Sequence, residues 1–365
     1  MKFSLPKEAL LGELQILQGI VEKRNTMPIL ANVLMNVTAN DIELTGTDLE
    51  VGLRTHIGAD IEEAGAITVN GKKFFEIVKS LPDGQTVSVE LKDETLEVRA
   101  GESEFKVLCL PKEDYPQVPD AKFDPGFVLP LQGFKDMIDR VFYAITQEQR
   151  YYLNGALLSL KNRQIELVST DGHRLSYTKR AEDGLKVETD LSVIVAKKTL
   201  NEIRKLEDET LGFDLDDNNL FFRAGARTLI SRIIESKFPN YQAVIPKGNP
   251  GRLVIDRVAL AEAIRRVSLL SAERSKGIKF TLEKNRLRLF SSNPEIGEAR
   301  DRLAVEYKGQ DLEIGFNAQY LLDFLTVVGV EKVVFELKDE NSAVLMRPDA
   351  EDGLTNLYVL MPMKI

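Results

Sequence analysis

Residues 170–175, with the sequence TDGHRL, place a carboxylate, an imidazole and a guanidinium within four consecutive positions. Asp171 and His173 could form the acid–base pair of a hydrolase, or they could shape and line a binding site. The chain contains only 2 histidines, and neither a Gly-x-Ser-x-Gly elbow nor a paired-histidine metal motif accompanies them. The pattern therefore favours a turn aspartate and a binding-site histidine, and it leaves a hydrolase that uses Asp171 and His173 as the alternative.

Two strands must position this group of side chains. A strand-like segment at residues 164–168 precedes it, and a second alternating segment begins at Leu175. An Asp-Gly pair between two such segments is the strongest short-range signal for a β-hairpin. Because a rigid scaffold commonly presents side chains beyond a tight turn to a ligand, we expect His173 and Arg174 at a binding surface.

The strand–turn–strand pattern occurs three times in the chain. Asp48, Asp171 and Asn293 occupy the turns and are separated by 123 and 122 positions. One third of the chain is also about 122 residues, which indicates three repeated modules. Only the middle copy carries Gly-His-Arg, so we interpret the repeat as structural and these added residues as functional. Pro-rich connections predict module boundaries that give residues 1–124, 125–250 and 251–365.

Apolar periodicity predicts two helices in every module. Leu10, Leu14, Leu17 and Val21 are spaced 4, 3 and 4 residues apart, as on one face of a helix. The remaining segments alternate as antiparallel strands do. The predicted fold class is α+β, with three modules of antiparallel sheet that each carry two helices on one face. The predicted helices span residues 7–24, 72–79, 135–150, 197–205, 257–276 and 317–330.

Composition excludes several classes of protein. A chain with 43% hydrophobic and 29% charged residues is ordinary for a globular protein. The first eight residues, MKFSLPKE, carry charges where a signal peptide needs an apolar core, and the best apolar run, 320–330, is short and contains Asp323. The single Cys109 rules out an intrachain disulfide and fits a reducing, cytoplasmic location. We expect no metal and no cofactor.

The charge is unevenly distributed. The net charge is −9, but the six predicted helices together carry +7, which leaves −16 for the rest of the chain. An acidic protein that concentrates positive charge on its helices can still attract a polyanion with that face. Solvated amphipathic helices with incidental lysines and arginines account for the same distribution, so charge alone leaves both interpretations open.

Three further stretches could contribute to a binding surface. Residues 150–153, RYYL, suit phosphate contact and stacking, although aromatic residues in a core explain them as well. Residues 358–365, YVLMPMKI, form an apolar tail that cannot extend a sheet past Pro362, and its methionines suit several partners. Residues 238–241, FPNY, form an extended-to-turn element. These stretches could meet the Asp171 turn at one apolar groove.

In this order the residues resemble the DNA polymerase III beta subunit family, the bacterial sliding clamps. The resemblance covers essentially all 365 residues. It implies a head-to-tail ring of two chains, with the helices around a hole and the sheets outside. It also implies a processivity factor without catalytic activity of its own, which encircles duplex DNA and tethers other proteins to it. The segments that carry the resemblance are residues 1–3, 24, 26–30, 44–50, 73–75, 150–155, 170–175, 238–239, 314–317 and 361–363.

The resemblance implies three groups of site residues. Residues that touch double-stranded DNA are Arg24, Gln147, Arg150, Tyr151 and Tyr152. The groove for short apolar motifs of the polymerase III alpha subunit, the clamp loader delta subunit, other polymerases and repair proteins comprises Leu153, Thr170, Gly172, His173, Arg174, Leu175, Pro239, Val244, Val344, Val359, Leu360, Met361, Pro362 and Met363. The interface of the homodimer comprises Lys73, Phe105, Val107, Leu269 and Leu270, and we add Arg300 and Arg302 to it as a hypothesis of our own.

Three positions depart from the common family pattern. Ala243 stands where relatives often carry a basic residue, Ala343 where they carry serine, and Lys364 where they carry arginine. We therefore expect the rim of the groove to bind acidic motif positions less strongly.

Two expectations concern the assembly. We expect Glu102 and Glu104 of one chain to pair with Arg300 and Arg302 of the next. A monomeric protein-binding scaffold that never meets DNA is a further alternative, and the mass in solution distinguishes it from a ring of two chains.

Overall fold

The computed structural model describes residues 1–21, 27–123, 127–146, 151–161, 163–182, 190–350 and 353–365. Contacts divide the chain into two compact units. Unit one contains Met1–Gln132 and Lys198–Ile233, and unit two contains Gly133–Lys197 and Ile234–Ile365. The α-helices of the described residues are α1 (Lys7–Leu17), α2 (Gly71–Ser80), α3 (Leu131–Phe142), α4 (Lys197–Ile203), α5 (Arg257–Ser268) and α6 (Ala318–Val327).

Unit one is built on a single antiparallel sheet of 13 strands. Helices α1 and α2 pack against each other, and each also contacts strands of this sheet. The order across the sheet is β10 (Phe127–Pro130), β15 (Thr210–Leu215), β16 (Asn219–Ala224), β17 (Arg227–Arg232), β4 (Val51–Ile57), β3 (Ile42–Thr47), β2 (Asn32–Val37), β6 (Gly65–Asn70), β9 (Ser103–Leu110), β8 (Thr95–Ala100), β7 (Thr86–Lys92), β1 (Lys2–Pro6) and β5 (Asp60–Glu63).

Unit two contains two antiparallel sheets, of 9 and 4 strands. Helices α5 and α6 pack together, and α5 lies against strands of both sheets. The larger sheet has the order β14 (Leu191–Ala196), β11 (Gly155–Lys161), β12 (Gln164–Thr170), β13 (Arg174–Ala181), β26 (Thr355–Leu360), β25 (Val344–Pro348), β24 (Lys332–Leu337), β18 (Gly251–Asp256) and β22 (Glu306–Lys308). The smaller has the order β21 (Gly297–Ala304), β20 (Arg286–Asn293), β19 (Gly277–Glu283) and β23 (Leu312–Asn317).

Short polar side chains begin several of the helices. The carboxamide of Asn70 accepts a hydrogen bond from the N–H of Lys73 at 3.0 Å, and Asp256 accepts one from Ala259 at 2.7 Å. Asn317 caps α6 in the same way. These caps satisfy N–H groups that have no partner within the helix, and they fix where each helix starts after its strand.

The structure confirms the repeated hairpin. Strands β3 and β4, β12 and β13, and β20 and β21 pair as antiparallel neighbours around turns at Asp48, Asp171 and Asn293. In each turn the side chain accepts a hydrogen bond from the N–H two residues later, at 2.9, 3.0 and 3.0 Å. Such a bond from an Asx side chain to its own backbone holds a tight turn.

Several predicted boundaries are wrong. Helix α1 ends at Leu17 rather than at residue 24, and residues 22–24 lie outside the described part. Helix α5 ends at Ser268 because the next N–H groups bond to carbonyls only three residues back, which tightens the chain into turns. Strand β21, GEARDRLA, has few apolar residues, and its cross-strand pairing with β20 defines it.

Every helix in the described part of the chain is too short or too polar to cross a bilayer.

Candidate functional site

The turn at Asp171 is held by its own side chains. One carboxylate oxygen of Asp171 accepts hydrogen bonds from the N–H groups of His173 at 3.0 Å and Arg174 at 3.1 Å. The hydroxyl of Thr170 donates to the carbonyl of Arg174 at 2.6 Å. Gly172 has φ 89°, a left-handed conformation that glycine adopts without strain. The carboxylate of Asp171 is therefore engaged in shaping the turn and in an ion pair with Arg174.

An apolar groove of about 340 Å³ opens beside this turn in unit two. Leu175 on β13 and Val359 on β26 are direct cross-strand partners, and Leu153 ends a short 3₁₀ turn next to them. All three side chains are buried and form the floor, because residues paired directly across two strands point to the same face. The groove is lined by Tyr152, Leu153, Thr170, Gly172, His173, Arg174, Leu175, Pro239, Tyr241, Val244, Val359 and Met361.

The rim of the groove is apolar and exposed. Val244 and Met361 are 53% and 44% exposed, so two large apolar residues meet solvent directly beside the buried floor. The N–H of Met361 donates to the carbonyl of His173 at 3.0 Å, so the C-terminal segment is fixed to the Asp171 turn. An exposed apolar surface of this kind indicates a site for another molecule.

Four of the residues predicted for the groove do not line it. Val344 and Leu360 are fully buried in a core cluster with Tyr358, because alternate residues of a strand point to opposite faces of the sheet. Met363 donates its N–H to the carbonyl of Gly315 at 2.9 Å, on β23, and Pro362 lies between it and Met361. Neither Pro362 nor Met363 is among the lining residues.

The groove is also lined by two tyrosines, Tyr152 and Tyr241, from stretches that could meet it, although the resemblance did not imply either as a groove residue. Tyr152 was predicted to touch DNA, and Tyr241 was recognised only as part of the FPNY element. The Tyr241 ring stacks on Tyr177 with centroids 6.0 Å apart, and both hydroxyls donate to Glu166, at 3.2 and 2.9 Å. Burial and the Glu166 carboxylate raise the pKa of Tyr241, so its hydroxyl stays protonated and keeps this bond.

Arg174 forms the main polar cluster next to the groove. Its guanidinium donates to Asp171 at 2.9 Å, to Asp323 at 2.5 Å and to the carbonyl of Tyr143. It also lies 4.2 Å from the centre of the Tyr320 ring. Its side chain is only 9% exposed, and the two carboxylates compensate the burial of its charge.

Most of the residues predicted to touch DNA lie outside the part of the chain that the structure describes. Arg24, Gln147 and Arg150 lie outside the described residues, as does the side chain of Tyr151. Tyr152 is half-buried in the lining of the groove. Their role in DNA contact stays a prediction.

The residues predicted for a dimer interface lie in both units. Phe105 and Val107 are half-buried on β9, whose residues 103–108 pair with β8 and with no other strand in the described part. Leu269 is 78% exposed and Leu270 half-buried just after α5. The remaining three are exposed: Lys73 pairs with Glu76 at 2.7 Å, Arg300 pairs with Glu298 at 3.0 Å, and Arg302 lies on β21.

Comparison with known proteins places this geometry in a family. The models of the N-terminal, central and C-terminal domains of the DNA polymerase III beta subunit match residues 1–119, 128–240 and 242–364. The chain belongs to the DNA polymerase III beta subunit family. It is 38% identical over 370 residues to the beta sliding clamp of Pseudomonas aeruginosa, with both chains covered completely.

Solved structures of the family agree over the full length. The crystal structure of the DNA polymerase III subunit beta from Pseudomonas aeruginosa matches with a TM-score of 0.95 at 38% identity, and 100% of each chain is covered. A structure of a Pseudomonas aeruginosa sliding clamp bound to griselimycin matches with a TM-score of 0.94 at 37% identity, again with 100% of each chain covered.

Membership confirms the predicted fold and class of function. The fold is the α+β fold of DNA clamps, with three repeated modules of antiparallel sheet that each carry two helices, and ring dimers are the known assembly of this fold. The beta subunit family consists of sliding clamps, which are processivity factors for DNA polymerase without catalytic activity, and the chain functions as one of them. The hydrolase alternative and the monomeric scaffold are not favoured.

Proposed function

We propose that the groove with Leu153, Leu175 and Val359 at its floor binds short apolar peptide motifs and so tethers the proteins that contain these motifs to the clamp. The observation that carries this proposal is the exposed rim of Val244 and Met361 directly beside that floor. A peptide side chain that enters the groove covers apolar surface on the floor and on both rim residues. Interfaces of this type take most of their binding energy from a few apolar anchors.

The expected affinity suits the exchange of partners. A peptide that binds with micromolar affinity supplies about −8 kcal/mol, which leaves dissociation fast enough for one partner to replace another. The partners that we propose are the polymerase III alpha subunit, the clamp loader delta subunit, and other polymerases and repair proteins. The exposed side chain of Ala243 places no positive charge at the rim, so acidic motif positions should contribute less here.

A rim variant tests the groove without disturbing the core. Val244→Glu places a charge at a position that is 53% exposed, and Val128→Glu places the same charge at a position outside the groove that is 62% exposed. A fluorescein-labelled short peptide whose only large side chains are leucine and phenylalanine serves as the probe in fluorescence polarisation. Val244→Glu should weaken binding at least about tenfold, because the new carboxylate must be desolvated, while Val128→Glu should bind as the natural chain does. Equal peptide affinity of the natural chain and both variants would show that the peptide does not bind in this groove.

We also propose that two chains form a head-to-tail ring through β9 and β21. In the described part, residues 103–108 of β9 pair only with β8, and β21 pairs only with β20. Strands β9 and β21 therefore each have a free edge that can pair with another chain. Glu104 now lies 3.5 Å from Arg99, and Arg300 binds Glu298, so these charges would exchange partners on assembly. Arg300→Glu/Arg302→Glu should raise the fraction of monomer in native mass spectrometry. An unchanged fraction would exclude the proposed pairing of these arginines with Glu102 and Glu104.

The ring would hold duplex DNA by enclosure, with contacts from Arg24, Gln147, Arg150, Tyr151 and Tyr152. Exposed cationic side chains on described helices, among them Lys72, Lys79 and Arg265, would supply diffuse attraction. The protein loaded onto a nicked circle should remain bound and should be lost after the circle is linearised. Loss at the same rate from both forms would contradict enclosure.

We also propose that the chain is divided into modules at residues 1–124, 125–250 and 251–365. We propose that the protein is located in the cytoplasm, together with the replication proteins that it serves.

A further inference from the structure

Arg174 borders the groove, but most of its guanidinium is used by the protein itself. Three of its N–H donors bind Asp171, Asp323 and the carbonyl of Tyr143, and its flat face covers the ring of Tyr320. A guanidinium has five N–H donors in a fixed planar arrangement. With three of them engaged and the side chain 9% exposed, little of the group remains for a ligand.

Asp323 anchors this cluster to a helix that does not line the groove. It lies on α6, where one carboxylate oxygen accepts from the side chain of Gln319 at 2.7 Å and the other accepts from Arg174 at 2.5 Å. The start of α6 is capped by Asn317. Asp323 therefore holds the guanidinium at a fixed position without contacting the groove.

The contacts continue from Arg174 to the rim. Asp171 binds Arg174 with one oxygen and the N–H groups of His173 and Arg174 with the other. The carbonyl of His173 then accepts the N–H of Met361, one of the two exposed apolar rim residues. Each step is a hydrogen bond of 2.5–3.1 Å between residues of unit two.

We infer that Arg174 and Asp323 are positioning residues of the groove, and that Asp323 sets peptide affinity without touching the peptide. The inference rests on the proposed peptide-binding function. A site whose walls are already fixed loses less conformational entropy when it binds a peptide. A variant in which the Asp171 turn and Met361 are free to move should therefore bind the peptide more weakly.

A matched pair of variants tests the role of Asp323. Asp323→Asn keeps the shape of a side chain that is 21% exposed and removes its charge. Glu336→Gln makes the same change at a carboxylate that is 25% exposed and pairs with Arg347 at 3.1 Å, away from the groove. Asp323→Asn should weaken the fluorescein-labelled leucine–phenylalanine peptide about tenfold, and Glu336→Gln should stay within about twofold of the natural chain. Equal affinity of both variants and the natural chain would overturn the inference.

The charge of the peptide distinguishes positioning from direct contact. Three versions of the probe with the same apolar residues carry acidic, neutral or basic ends. If Arg174 positions the groove, Arg174→Gln weakens all three by the same factor, and adding Asp323→Asn causes no further loss, because the two residues act as one unit. A loss that grows with the negative charge of the peptide would mean that Arg174 binds the ligand, and it would overturn the inference. Should Arg174→Gln fail to fold, Asp323→Asn with the same three peptides decides the question.

Amide hydrogen exchange provides a measurement that needs no peptide. In Asp323→Asn the amides of His173, Arg174 and Met361 should exchange several-fold faster than in the natural chain and in Glu336→Gln, while α5 stays equally protected. Unchanged exchange at these amides would overturn the positioning role. If the natural chain binds none of the peptides, the proposed groove function fails, and this exchange measurement alone decides whether Arg174 and Asp323 hold the turn.

Discussion

The turns at Asp48 and Asp171 lie 123 residues apart and bind their own backbone in the same way. Each aspartate accepts hydrogen bonds from the N–H groups two and three residues later. A short 3₁₀ turn that contributes a buried leucine, Leu30 or Leu153, precedes each hairpin at the same spacing. Duplication has therefore preserved the backbone plan of both regions.

The segments that follow the two hairpins differ. In the first region the buried hydroxyl of Tyr115 accepts from the N–H of Thr47 at 3.1 Å and lies 3.2 Å from the carbonyl of Thr45. Val118 packs so closely on Gly52 that a β-carbon there would lie 3.2 Å from it. The segment is thus drawn onto the hairpin and covers it.

In the second region Phe238 takes the place of Tyr115, and it has no hydroxyl for such a bond. The chain beyond it leaves Val244 exposed and opens the groove over Leu175 and Val359. The ion pairs differ as well, since Asp48 binds Lys198 whereas Asp171 binds Arg174. The two regions therefore share the same hairpin, and the side chains of the connecting segment decide whether that hairpin is covered or left open for a partner.

The largest effect is expected from removal of the two aspartates. Asp48→Ala and Asp171→Ala each remove the acceptor of two backbone N–H groups and one carboxylate partner of a cation, so each should lower the free energy of unfolding by about 2–4 kcal/mol in urea titrations. Only Asp171→Ala should weaken the labelled peptide, by more than about tenfold, because only that turn borders the groove. Equal loss of peptide binding in both variants would contradict the functional difference between the two regions.

Removal of a hydroxyl should have an intermediate effect. Tyr115→Phe leaves the buried N–H of Thr47 without its acceptor and should lower the free energy of unfolding by about 1–3 kcal/mol, with unchanged peptide affinity. Tyr241→Phe removes a hydroxyl from a half-buried residue, where water can partly replace it, and it should lower that free energy by less than about 1 kcal/mol. Calorimetry of both variants makes the comparison. A larger loss for Tyr241→Phe would show that the hydroxyl of Tyr115 is not what holds the first region closed.

The smallest effect is expected from exchanging the residues at the tips of the turns. Leu49 has φ 78° and Gly172 has φ 89°, so a non-glycine residue occupies the left-handed conformation only in the first turn. Leu49→Gly should raise the free energy of unfolding by at most about 1 kcal/mol, because relief of strain exceeds the added flexibility of the unfolded chain, and Gly172→Leu should lower it by about 1 kcal/mol. Changes of the same sign in the two variants would show that side-chain packing at the tips outweighs the backbone conformation.

The hairpins and the apolar character of the site could be predicted from the sequence. An Asx residue between alternating segments predicts a turn wherever it occurs, since the hydrogen bonds that form the turn are local. The same local logic predicted His173 and Arg174 at one surface. The resemblance also implied Val344 and Leu360 as groove residues, and they do not line it, because which face of β25 and β26 points to the groove depends on their pairing with other strands.

The threefold repeat, the turn chemistry and the family follow from the sequence, because each depends on residue types at fixed spacing along the chain. The folded chain was needed to show that Tyr241 and Tyr152 line the groove and that Arg174 is bound by Asp323, 149 residues away. No local pattern carries such information. Contacts between distant segments arise from the packing of whole sheets and helices, and each packed side chain is placed by neighbours that the chain supplies from elsewhere.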